Sequence, residues 1–193
     1  MTNISKTQED FPSQFLEPSI QQNADRIYNI EQANNVNHIV NVTPERKLLS
    51  SDEYYNLFII YGEKYERNSF ALGNGRVFEY TNTAIQQKFS KFTLDDIDEI
   101  IGLPALFLPE YSKINNEIEI GFLGRLEDID KTEGIGHSKF YFRKEREINM
   151  ELIESNKSKL RIDEWELSRT HWAIKRANLK LVIEEITNGN ETE

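Results

Sequence analysis

Cysteine is absent from this chain. That absence excludes a disulfide scaffold, a zinc–thiolate site and a thiol nucleophile together. Long apolar runs are missing too. The longest, Leu57-Phe-Ile-Ile-Tyr61, is far too short to cross a bilayer. The first ten residues, Met1 to Asp10, have neither the basic start nor the apolar stretch of a signal peptide. The expected setting is therefore the cytoplasm, away from any membrane. Positive charge is the scarcer sign, with 23 Lys and Arg against 33 Asp and Glu, a formal net charge of -10. A nucleic-acid coat needs clustered cations to displace counterions, so general nucleic-acid binding is disfavoured and only a local basic patch stays open.

Histidine is nearly as scarce. His38, His137 and His171 are far apart, and no His-x-x-x-His pair exists, so no metal signature is present. Asp128-Ile-Asp130 lacks the other oxygen ligands of a calcium loop. Leu72-Gly-Asn-Gly75 has no third glycine and no Gly-Lys-Ser/Thr, and no Gly-x-Ser-x-Gly elbow occurs. No cofactor is expected.

The 193 residues suit one domain with tails. Residues 1–24 are polar and broken by Pro12 and Pro18, which reads as a flexible tail. Residues 25–44 read as a hairpin-like linker, with strand-like Val36, His38, Val40 and Val42 around an Asn34-Asn35 turn. A two-stranded ribbon of this kind needs something to pair with, which points to a protein partner or self-association. Residues 45–187 read as one α+β domain with a small antiparallel sheet, two or three amphipathic helices and a C-terminal helix. Residues 188–193 form a polar tail.

Within the domain, Ser50-Ser-Asp-Glu53 has capping-box spacing, and Tyr54, Leu57, Phe58, Tyr61 and Tyr65 follow at helical intervals. That pattern predicts an amphipathic helix with its aromatic stripe in the core. Thr93-Leu-Asp-Asp96 is a second capping signature, with Leu94, Ile97 and Ile101 on one face and Gly102 and Pro104 as the stop. Leu103 to Pro109 is expected to be rigid and buried. Ile118, Ile120 and Phe122 alternate with polar or small residues, and Lys139-Phe-Tyr-Phe-Arg143 answers them, which predicts a hairpin. Residues 148–160 form a short helix or crossover. Leu179, Val182, Ile183 and Ile186 face one side of a last helix closed by Asn188-Gly189.

The densest window for chemistry is Glu166-Leu-Ser-Arg-Thr-His-Trp-Ala-Ile-Lys175. Read as a strand, it sets Arg169 and His171 side by side on one face. A guanidinium beside an imidazole can hold a phosphate or carboxylate, with His171 as proton donor. The competing structural reading has both residues satisfying carbonyls or a carboxylate while the tryptophans fill the core. Arg169, His171, Trp172 and Lys175 are accordingly the candidate ligand- or partner-binding residues, with no catalytic residue assigned. A metal-dependent alternative would use Glu45 and Lys47 of Glu45-Arg-Lys47 with Asp25 as a distant acid, although Pro44 directly precedes the glutamate.

One resemblance adds to this reading. Asp25-Arg-Ile-Tyr-Asn-Ile-Glu-Gln-Ala-Asn-Asn-Val resembles the Ile-Tyr-Asn-Ile linker segments of bacterial proteins with TIR-like or NTPase effector domains, including suspected anti-phage defence proteins. The stretch from Ile120-Gly-Phe-Leu-Gly-Arg-Leu-Glu-Asp-Ile129 through Lys175 is similar to an uncharacterised accessory module found in that company. The resemblance implies an accessory or sensing module, and this chain has no recognisable effector or NTPase core of its own. The expected function is a non-enzymatic regulatory or protein-interaction module that binds a partner protein or a small charged ligand. The alternative is an enzyme acting on nucleic acid or a nucleotide, through His171 and Arg169 or the metal site at Glu45 and Lys47.

Overall fold

The structure, a computed structural model, describes residues 46–111, 119–131 and 136–188. The chain divides into two units at Glu45/Arg46, and the description below is of the second. The tail at 1–24, the linker at 25–44 and Glu45 of the metal alternative lie outside the described residues, as do positions 189–193.

Six strands form one mixed sheet. In chain order they are β1 (Tyr55–Ile60), β2 (Ser69–Gly73), β3 (Pro104–Pro109), β4 (Ile120–Asp130), β5 (His137–Asn149) and β6 (His171–Lys175). Across the sheet the order is β2-β5-β4-β3-β1-β6. Only β1 and β3 run parallel; every other pair is antiparallel. Among the described residues the helices are α1 (Thr83–Lys88), α2 (Leu94–Ile101), α3 (Met150–Asn156) and α4 (Leu179–Asn188). The α+β class is as expected, but the sheet is larger than the small antiparallel one, and mixed.

The two faces of the sheet carry separate cores. On one, Phe58, Phe107, Phe140 and Trp172 pack with Ile85 of α1, Phe89 just after it and Ile100 of α2. On the other, Tyr55, Leu57, Ile59 and Leu106 pack with Met150 and Ile153 of α3 and Leu179, Ile183 and Ile186 of α4. All six residues of β1 are therefore buried. This corrects the helix expected over residues 50–65. A strand covered on both faces is apolar at consecutive positions, and such a run also satisfies helical spacing. Leu57 and Phe58 belong to opposite cores, and Tyr61, which the helix would have buried, is 80% exposed. Ser50 closes a turn instead, its carbonyl accepting from the amides of Glu53 and Tyr54. Leu103 to Pro109 is buried as expected, as the central strand β3 with a proline at each end.

The second capping signature forms as read: the Thr93 hydroxyl accepts from the Asp96 amide while the Asp96 carboxylate accepts from the Thr93 amide. Its buried face is centred on Ile100, however, and Leu94 is 79% exposed. The β4–β5 hairpin forms and is longer than expected. It bends at two register shifts, one between Leu123 and Gly124. At that bulge a Cβ on Gly124 would lie 2.0 Å from the Arg143 carbonyl oxygen.

After α3 the chain stops in a six-residue turn. The Ile162 amide donates to the Lys157 carbonyl, the Arg161 amide donates to that of Ser158, and Arg161 has φ +58°. This is the Schellman arrangement, whose left-handed position favours glycine. An arginine there bears a strain of roughly 1 kcal/mol.

Gly124→Ala is expected to destabilise the protein by about 1–3 kcal/mol or more, because the clash is with backbone that cannot rotate away. The urea midpoint measures it, and an unchanged midpoint would refute the bulge as the reason for glycine here.

Candidate functional site

The block from Glu166 to Lys175 is divided between two elements. Glu164–Ser168 forms a 3-10 turn and β6 follows from His171. The alternation expected of a strand holds only within β6. There His171, Ala173 and Lys175 share one side, and Trp172 and Ile174 enter the aromatic core. The turn carries Glu166 back toward β6, and the three ionisable groups converge with no opening to solvent: Glu166 and His171 are 0% exposed and Lys175 is 7% exposed.

The Glu166 carboxylate is answered from three directions. Lys175 Nζ lies 2.7 Å from Oε1 and 2.6 Å from Oε2. His171 Nε2 stands 3.2 Å from Oε2, an approach that falls outside hydrogen-bond geometry. The Asp163 amide donates to Oε1 at 3.0 Å. Burial pushes the carboxyl up, but the contacts from His171, Lys175 and the Asp163 amide outweigh it and hold Glu166 below the usual carboxylate range. The other imidazole nitrogen, Nδ1, lies 2.7 Å from the Arg169 carbonyl oxygen. A carbonyl can only accept, so Nδ1 carries a hydrogen and donates it. Tyr80 stands edge-on to the imidazole at 4.9 Å, and Trp165 packs on Tyr80 at 4.2 Å. No space is left for a substrate beside His171.

Trp172 is structural in the same sense. Its ring stacks on Phe58 at 5.5 Å and its indole N–H donates to Asn56 Oδ1 at 3.1 Å. Of the four residues singled out by sequence, only Arg169 reaches water substantially, with a side chain 48% exposed. It pairs with Glu79 at 2.9 Å and lies 5.9 Å from the Tyr80 ring. Arg169 and His171 are therefore not neighbours in one site: the Arg169 carbonyl holds the imidazole while its guanidinium turns outward. Lys47, of the metal alternative, is exposed, and its carbonyl accepts from Lys88 Nζ.

Sequence reading did not reach the loop that closes the open edge of β6. Val77 bridges to Trp172, Phe78 packs on the indole at 4.4 Å, and the Thr81 hydroxyl accepts from the Ile174 amide at 2.8 Å. Phe78 and Tyr80 are both left-handed, at φ +59° and +63°, a conformation that bulky residues hold only when their surroundings enforce it. Between them Glu79 accepts from Arg76, Tyr80 and Arg169. Burial raises the Glu79 carboxyl, but the Arg76 guanidinium, the Tyr80 hydroxyl and Arg169 together hold it below its ordinary range.

On the far side of Tyr80 lies a cleft of about 370 Å³, lined by Tyr54, Tyr80, Asn82, Arg161, Lys175 and Arg176 among others. Lys175 contributes to its wall with Nζ turned inward to Glu166. Arg176 stands 4.0 Å from Glu53 and 5.8 Å from the Tyr54 ring. Among the described residues the Arg161 guanidinium has no ion-pair or hydrogen-bond partner. The positions of Arg161 and Tyr80 could not be read from sequence, because nothing local marks a non-glycine residue as left-handed.

Because the folded-state carboxyl of Glu166 is depressed, its contribution to stability is complete above the unfolded carboxylate value of about 4.3 and is lost as pH falls through the lower folded value. Glu166→Gln is expected to destabilise the protein at pH 7 by about 3–5 kcal/mol, since Lys175 is left buried without its counter-charge. The variant should also lose part of the acid limb of the stability–pH curve. A loss under about 1 kcal/mol, as for a surface pair, would contradict the enclosed arrangement. No helix among the described residues is long and apolar enough to cross a membrane. Compared with known proteins, the chain matches no family model, no curated protein and no solved structure.

Proposed function

We propose that this chain is a non-enzymatic regulatory or interaction module of a bacterial, cytoplasmic system, and that it binds a small charged ligand or a partner protein through the surface outside β6. The observation that carries the reading is the enclosure of Glu166, His171 and Lys175. An imidazole, a carboxylate and an amine within hydrogen-bond reach would suit acid–base chemistry, but here they are sealed from solvent and spend their contacts on each other and on the backbone. What faces outward is a recognition surface: Arg169, the half-exposed Trp165 and the arginine-lined cleft beyond Tyr80. Arginine and exposed aromatic side chains are the groups that dominate binding surfaces. The likeness of the Ile-Tyr-Asn-Ile segment to linkers of bacterial effector proteins suggests anti-phage defence as the setting.

The rival reading, an enzyme acting on nucleic acid or a nucleotide, makes an opposite claim about Arg169. Incubation of the full chain with single-stranded RNA, duplex DNA and ATP, each with Mg²⁺, is expected to give no turnover above a buffer control. Arg169→Ala is expected to move stability by less than about 1 kcal/mol. Turnover that disappears in Arg169→Ala while its melting temperature is unchanged would replace this proposal with the enzymatic one.

A further inference from the structure

We infer that the cleft between Tyr54, Tyr80, Asn82, Arg161, Lys175 and Arg176 is an anion site for a phosphate-bearing small molecule of the nucleoside-diphosphate class. The inference rests on the reading above, that the chain binds a ligand rather than transforms one, and names the ligand and its place.

Three independent observations converge. The first is charge. The chain as a whole is at -10, yet this wall carries the Arg161 and Arg176 guanidinium groups, while Lys175 contributes only its stem because its ammonium is turned inward and neutralised by Glu166. The acids nearby are Glu53, at the outer rim beside Arg176, Glu79, already engaged by Arg76, Arg169 and the Tyr80 hydroxyl, and the buried Glu166, matched by Lys175. The local balance favours an anion, and an arginine fork matches phosphate oxygens two at a time.

The second is backbone strain in the right place. Arg161 occupies the left-handed position of the Schellman turn, where glycine would be easier to accommodate. Residues held in sparsely populated backbone regions cluster at ligand-binding sites. The Arg161 guanidinium lines the cleft and has no partner among the described residues. Tyr80, which also lines the cleft, is left-handed at φ +63° and is held there by His171, Trp165 and Glu79.

The third is size and lining. About 370 Å³ is near the lower end for sites that enclose a small organic ligand. Tyr54 and Tyr80 supply flat apolar surface next to the cations. Asn82 uses its side-chain oxygen to accept from the Ala84 amide, which leaves its NH₂ group to donate. Ring surface, amide donor and guanidinium together are the elements that hold a base or sugar beside a phosphate.

The Schellman turn also supplies the test. Arg161→Gly removes the guanidinium and relieves the backbone, so the variant is expected to fold with an unchanged or higher melting temperature. Titration calorimetry of the full chain with inorganic pyrophosphate and with ADP, in the absence of Mg²⁺, should show binding of both. Affinity should fall by on the order of tenfold or more in Arg161→Gly and stay within about twofold in Arg125→Ala, a distant surface arginine. The site assignment is overturned if neither probe binds, if Arg161→Gly binds as well as the parent, or if Arg125→Ala weakens binding equally. Turnover of ADP in the same samples would instead strike at the non-enzymatic reading, so the two failures are told apart by heat of binding and by product.

Discussion

A carboxylate with no exposure to water has to be answered on every side, and Glu166 imposes that demand on the C-terminal third of the domain. Lys175 and His171 can both reach it only if β6 runs alongside the 3-10 turn that carries it, and the Asp163 amide only if that turn closes. Desolvating such a group is expensive, and the surrounding charges compensate only when the geometry is good. The arrangement therefore acts as a specificity device. A β6 shifted by one residue would turn Trp172 to the face of the carboxylate and Lys175 to the face of the aromatic core.

The opposite face of β6 imposes a second condition of the same type. Asn56, fully buried in β1, accepts from the Trp172 indole and donates to the Ile100 carbonyl at the end of α2. One side chain thus ties β1, β6 and a helix terminus whose last carbonyls have no partners within the helix. Around it Phe58 contacts Phe70, Phe107, Phe140 and Trp172 at ring separations of 5.2–5.5 Å. Polar satisfaction sets the register and aromatic packing supplies the bulk. The loop carrying Phe78 to Thr81 then seals the edge, which keeps β6 from offering an open row of amides and also brings Tyr80 to the rim of the cleft.

What could be read in the sequence was what is decided locally. The Thr93–Asp96 cap and the β4–β5 alternation depend on neighbours a few residues away, and both form. The stretch from Tyr54 to Tyr65 was misread because its apolar pattern reflects two cores lying on opposite sides of one strand, and a single chain segment carries no sign of how many faces will be covered. β3 posed the same difficulty. The chemical block was legible as a cluster but not as a buried one, since its burial is supplied by Tyr80 and Trp165 from outside β6 and by the helical face across the sheet. Arg161 was invisible for a different reason: its left-handed backbone is set by the turn after α3, and no side chain announces it.

The strand order has a consequence for the way this chain comes together in time. β4 and β5 are adjacent in sequence and can pair across a short connection, whereas β1, apolar except for Asn56 and the first made of the described strands, has its two edges taken by β3 and by β6, the last strand. A topology so dependent on distant pairing folds slowly. Until His171–Lys175 are in place, the nascent domain exposes its stickiest segment, Leu57-Phe-Ile-Ile60, along an unpaired edge. Its vulnerability to aggregation is thus concentrated in the interval between making the first strand and making the last.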